Sequence, residues 1–144
     1  MSKAESADLI MKLYDLRREE TMREARKWFV SFFPESVEDI MKTMVDEKES
    51  AYYRMVTSYW DMAGFVNHGA IDEEMFMDAN GECIIVFSKI EPFLGELRQI
   101  MGSDKMMKNL ETLVMKLPDA KQLLASRREM MKRWMQARAE AAKQ

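Results

Sequence analysis

Cys83, Phe87, Ile90, Leu94, Leu97 and Met101 follow one another at alternating spacings of four and three residues, an apolar seam that keeps its phase across Pro92. Only a helix, with 3.6 residues per turn, gathers such positions onto one face. This seam constrains the fold most, because the same segment has a competing local reading. ECIIVF at 82–87 is rich in β-branched residues and follows Asn80-Gly81, a good hairpin turn. A periodicity sustained from 83 to 101 outweighs local propensity, so the segment is expected to be helical. Pro92 removes a backbone donor and crowds the preceding turn, which predicts a helix over 82–101 that kinks there or restarts nearly in line.

The same spacing recurs along the chain. From Ser6, read as an N-cap, Leu9, Leu13 and Leu16 form a stripe that shifts once at a charged turn and resumes as Met22, Ala25, Phe29 and Phe32, predicting one long helix stopped by Pro34. Ser36 with Asp39 opens a connector helix to about Met44, and Asp46 with Glu49 opens the most apolar segment, a central helix over 47–68 containing Tyr53, Val56, Tyr59 and Trp60. Gly69 suits the left-handed residue that ends it, and Ile71, Asp72 and Phe76 form a hydrophobic staple around the N-cap of a helix over 72–79. Gly102 and Ser103 separate the seam from a helix over 104–117, and Asp119 with Gln122 caps a last one over 119–140. The final ARAEAAKQ lacks large apolar groups and is expected to fray. The fold class is therefore all-α, a helical bundle with a central apolar helix and a proline-kinked helix, spanning 1–144 as one domain.

Composition narrows the class further. With 144 residues, 47% hydrophobic and 33% charged, and only 5 Gly and 3 Pro, the chain can bury a core and is neither disordered nor collagen-like. Cys83 is the single cysteine and cannot form an internal disulfide, no apolar run approaches the roughly 18 residues of a membrane span, and no leader-like segment opens the sequence. A cytoplasmic protein without a transmembrane segment is the expectation. Charge is unevenly spread: residues 34–118 carry 8 basic and 16 acidic groups, and 119–144 carry 7 and 3. The basic tail can attract an anionic partner or fold back on the acidic body.

WDMAGFVNHGAIDEE, followed by GECIIVFSKIEPFLGELR, resembles uncharacterised bacterial families of small helical proteins, over roughly residues 52–101. The resemblance implies a helical fold and carries no catalytic assignment.

Candidate sites are few. The lone histidine, His68, lies beside Asp72, Glu73 and Glu74, yet each of these residues has a place in ending one helix and starting the next, and a metal site needs ligands converging from several elements. No metal and no cofactor is assigned. A polar stripe of Arg54, Thr57, Ser58 and Asp61, with His68 two turns on, crosses the central helix. Asp61 in that setting needs a cation, with Arg98 as one candidate and Gly64 and Gly95 allowing close approach. A small-molecule site would recruit Arg54, Ser58, Asp61, His68 and Arg98, and an enzyme would use Asp61, His68, Glu91 and Tyr59 as acid-base groups, but the sequence holds no nucleophile motif, no phosphate-cradling glycine loop and no Glu-x-x-His pair, and no catalytic residue is assigned. The 16 methionines read as core filling. On the final helix, Arg127, Arg128, Met131, Lys132, Trp134 and Met135 combine basic and apolar groups, suited to a protein partner, a second copy of the chain, an anionic membrane surface or nucleic acid. The leading functional expectation is a non-catalytic interaction or regulatory module, and the alternative is a small-molecule site on the polar stripe.

Overall fold

Ser2, rather than Ser6, begins the first helix in the computed structural model, which describes residues 2–144. The amide of Glu5 donates to the Ser2 hydroxyl and the amide of Ser2 donates to the Glu5 carboxylate, at 3.1 and 3.2 Å, a reciprocal capping pair. Helix α1 runs Lys3–Leu16 and helix α2 Glu20–Val30, so the single long helix expected here is two. The shift of the apolar stripe marks the break. Glu19 stabilises the restart, its carboxylate accepting from the amides of Thr21 and Met22 at 3.0 and 2.9 Å.

Helix α3, Val37–Val45, starts at Ser36, whose hydroxyl accepts from the amide of Asp39, and α4, Glu47–Asp61, starts at Asp46, whose carboxylate accepts from that of Glu49. The central helix expected over 47–68 ends early, at Asp61. A turn at Met62–Ala63 leads to a short α5, Gly64–Asn67. Gly69 then adopts φ +83°, and the amide of Ala70 reaches back to the carbonyl of Phe65 at 2.8 Å, the left-handed helix ending that a glycine permits. Helix α6, Glu73–Ala79, is capped by Asp72 through the amide of Met75, with Ile71 and Phe76 both buried as a staple requires.

Residues 82–88 are helical, not a strand: α7 spans Glu82–Ile90 and α8 Leu94–Met101, separated by a 3-10 turn at Glu91–Phe93 that contains Pro92. Helix α9 is short, Lys108–Val114, and α10, Ala120–Ala142, is the longest. Asp119 does not cap α10 with its side chain; it adopts φ +50° instead. No helix of the described residues is long and apolar enough to cross a membrane.

The most enclosed element is α7 rather than α4. Cys83 and the whole run Val86–Ile90 are buried, including Ser88 and Lys89, because α4, α9 and α10 all pack against this helix. Phe87 is fully enclosed, and truncating such a side chain to alanine costs about 3–5 kcal/mol through lost transfer energy and the cavity left behind. Trp60 is 1% exposed in the same core. Between α2 and α4, Trp28 stacks on Phe32 with centroids 4.7 Å apart, and Phe32 meets Tyr53 edge to face.

Candidate functional site

The polar stripe of α4 does not converge on one pocket. Asp61, its last residue, reaches the first turn of α9: one carboxylate oxygen accepts from the amide of Leu110 at 3.0 Å and the other from the side-chain amide of Asn109 at 3.2 Å. Met107, the residue before α9, has φ +52° and offers no capping side chain. Asp61 therefore caps α9 from a different helix, satisfying an amide that lacks an acceptor within its own helix. The pairing of Asp61 with Arg98 does not form, because each has another target on the same segment. Arg98, on α8, donates from Nε and Nη2 to the carbonyl of Met106 at 3.1 and 2.8 Å and pairs with Glu111 at 3.1 Å. Burial alone would raise the pKa of Glu111, but the bonds from Arg98 and Lys108 outweigh it and the group is lowered.

Gly64 allows the close approach expected of it and Gly95 does not. A Cβ at Gly64 would lie 2.9 Å from the side chain of Asn109, whereas a Cβ at Gly95 would meet nothing within 4 Å. Asn67 completes the clamp by donating to the carbonyl of Asn109 at 2.9 Å. Asp61, Asn67 and Arg98 thus act structurally, fixing residues 106–111. His68 is exposed, its amide donating to Gly64 at the end of α5. Among the described residues, no group of three or more His, Cys, Asp or Glu is arranged to hold a metal ion.

Arg54 and Ser58 are exposed on the other side of α4, where they edge an open groove of about 690 Å³. Its walls are apolar: Leu16 and Met22 from the α1–α2 elbow, Met55 and Tyr59 from α4, and Met62 from the turn after it. Asp61 and His68 are not among them. Tyr59 is fixed by donating to the carbonyl of Leu13 at 2.6 Å, and burial pushes its hydroxyl up to about 12. Leu16 stands 55% exposed between this groove and a smaller apolar hollow of about 260 Å³ that includes Leu13, Phe65 and Ile71. Sequence reasoning missed this surface because Leu16 reads as core stripe; Met22, read the same way, is buried.

The six residues singled out on α10 divide. Arg127, Arg128, Met131 and Met135 are half-buried, Arg128 donating to the carbonyl of Ser88 at 2.8 Å and standing 3.7 Å from Glu91. Lys132 is exposed, Trp134 is 60% exposed, and residues 136–144 are exposed throughout.

Lys89 was not anticipated. It is 2% exposed, and its ammonium donates to the carbonyls of Phe29 and Val30 at 2.6 and 2.9 Å, closing the end of α2 from α7. The ring centroid of Phe33 lies 4.1 Å from the same nitrogen. Burial pushes its pKa down to about 7, with Glu82 opposing the shift. The only sequence signal was a lysine inside an otherwise apolar helical run.

The family model described as Domain of unknown function (DUF4760) matches residues 3–117, which takes in α1 to α9 and stops before α10. No curated protein and no solved structure matches the chain.

Proposed function

The chain belongs to this family, and on that premise we propose that it is a non-catalytic helical interaction module that pairs with a second copy of itself. The end of α10 from one copy places Trp134 in the open groove beside Leu16 of the other, and the exchange is reciprocal. One observation carries this reading: the same chain leaves uncovered both an apolar groove of about 690 Å³ and a tryptophan that is 60% exposed in the second half of α10. Soluble domains seldom leave contiguous apolar surface open unless something docks there.

Magnitudes favour two arms over one. Trp134 is already 40% covered, so docking it removes roughly 90–150 Å² of the roughly 150–250 Å² an indole presents, worth roughly 2–4 kcal/mol at about 25 cal/mol per Å², to which the groove wall it covers adds. Association costs at least about 4 kcal/mol in lost freedom, so a single arm leaves little surplus and a closed, two-fold pair leaves more. Charge assists, since α10 and the tail after it belong to a segment with 7 basic and 3 acidic groups while residues 34–118 carry 8 and 16.

The test is the assembly mass by sedimentation across a concentration series up to about 100 µM, where a micromolar complex is largely formed. Wild type is expected to dimerise, with a blue-shifted tryptophan emission, and Leu16→Glu and Trp134→Ala are each expected to give monomers that retain their helicity. A wild type that stays monomeric throughout, or a dimer that survives both substitutions, overturns the reading.

A further inference from the structure

Another cavity, of about 250 Å³, lies between the α2–α3 connection, the Pro92 turn and α10. Three cations border it, Lys89, Arg128 and Lys132, with Glu35 in its wall. Two rings, Phe33 and Phe93, supply flat apolar sides. The volume equals that of roughly eight waters at about 30 Å³ each, enough for a small organic molecule.

Hydrogen-bond accounting points to what is missing. Of the three donors on the Lys89 ammonium, two go to the carbonyls of Phe29 and Val30. Arg128 directs Nη1 to the carbonyl of Ser88, with Glu91 3.7 Å from the same nitrogen. Among the described residues, its Nε and Nη2 have no protein acceptor within hydrogen-bond distance. A guanidinium fork with two free donors fits a planar or tetrahedral oxyanion in bidentate fashion. Lys132 lies one helical turn further along α10 and engages only Glu129, at 3.8 Å on the exposed surface. Among the described residues that line the cavity, Glu35 is the one acid beside three basic side chains, while Glu91 and Glu129 stand outside it, 3.7 Å from Arg128 and 3.8 Å from Lys132.

We propose that this cavity binds a small organic oxyanion, its carboxylate or phosphate head on the free edge of Arg128 and on Lys132, and its flat apolar body between Phe33 and Phe93. Lys89 lines the same cavity, anchored on the carbonyls of Phe29 and Val30 and 4.1 Å from the centroid of the Phe33 ring. The ligand class is an aryl or similarly flat carboxylate or phosphate ester. This site is separate from the groove at Leu16, and Trp134 is not part of it, so a Trp134→Ala monomer keeps the binding.

Calorimetric titration of the full-length chain with benzoate, phenyl phosphate and inorganic phosphate, at matched ionic strength, tests the proposal, with benzyl alcohol as the uncharged control. At least one aromatic anion is expected to bind about tenfold more tightly than either inorganic phosphate or benzyl alcohol, and comparison of benzoate with phenyl phosphate identifies the preferred head. Lys132→Gln, on an exposed side chain that leaves the core untouched, is expected to weaken that aromatic anion about tenfold, as is Arg128→Gln. Phe93→Ala is expected to weaken the aromatic anion while leaving inorganic phosphate unchanged. Failure of both aromatic anions to bind, affinities in Lys132→Gln equal to wild type, or a preference for benzyl alcohol would each overturn it.

Discussion

Lys89→Met removes an ammonium that is 2% exposed, and its consequence is read most cleanly as a pH dependence. Burial lowers the folded-state pKa of Lys89 to about 7, against 10.5 for the ordinary side chain. Below pH 7 both folded and unfolded chains hold the proton, and Lys89 contributes no slope. Between about 7 and 10.5 the unfolded chain holds a proton that the folded chain has released, so stability rises with pH, by up to about 1.4 kcal/mol per unit. From pH 7 to 9 the gain is about 2 kcal/mol. The other charged groups that share hollows with Lys89, which are Arg26 and Glu82 on one side and Glu35, Arg128 and Lys132 on the other, are present in both proteins. So are Cys83 and Tyr59, both pushed up to about 12 by burial, and Tyr53, raised by the same cause; these lower stability above about pH 9. All cancel in the difference between wild type and variant. Urea unfolding of both proteins at half-unit steps from pH 6.5 to 9.5 gives that difference directly. Its absolute value is less diagnostic, because the variant also leaves the carbonyls of Phe29 and Val30 without their donor, at about 1–3 kcal/mol each. A difference that stays flat across the range refutes the reasoning, and means that those two carbonyls and the Phe33 ring hold the proton against desolvation.

Three further outcomes follow from the clamp on α9 and from the loop after α5. Asp61→Ala, which deletes the acceptors of the Leu110 amide and the Asn109 side chain, is expected to destabilise by about 2–3 kcal/mol and to accelerate amide exchange first in residues 108–114. Gly64→Ala places a methyl group 2.9 Å from Asn109, which cannot swing aside without losing Asp61; a cost of about 1–3 kcal/mol is expected, most of it removed in Gly64→Ala/Asn109→Ala, and simple additivity in that cycle would disprove the clash. Gly69→Ala, at φ +83° with open space around it, is expected to cost about 1 kcal/mol from backbone strain alone, measured as a shift in the urea midpoint with unchanged slope.

The helices were legible in the sequence where their stabilisation is local. Asp46, Ser36 and Asp72 cap their own helices three residues on, and the seam from Cys83 to Met101 remained helical despite its β-branched start and Pro92. The failures occur where a helix end is stabilised by a distant residue. Ser6 reads as an N-cap, yet its hydroxyl accepts from the amide of Asp72, 66 positions away. Asp61 reads as half of an ion pair and is the cap of α9; Lys89, to which the sequence assigns no role, closes α2. Side-chain type announces a capacity to cap, but only the tertiary fold decides which terminus receives it.

These long-range caps bear on how the domain holds together. Helices α5, α6 and α9 are 4, 7 and 7 residues long, too short to persist alone in water, where nucleation costs more than so few bonds return. Ser6 ties α6 to α1, while Asp61 and Asn67 tie α9 to α4 and α5. Lys89 ties α7 to α2, and Arg98 ties α8 to the segment before α9. Helices α6 and α9 therefore depend on residues remote in sequence, which couples their formation to α1, α4 and α5. The far end of α10, with no buried residue after Leu124, lies outside that coupling. Its amides beyond residue 132 should exchange well before those of α7 in the monomeric Trp134→Ala variant; equal protection in the two would show that the tail belongs to the cooperative core and has no need of a second copy.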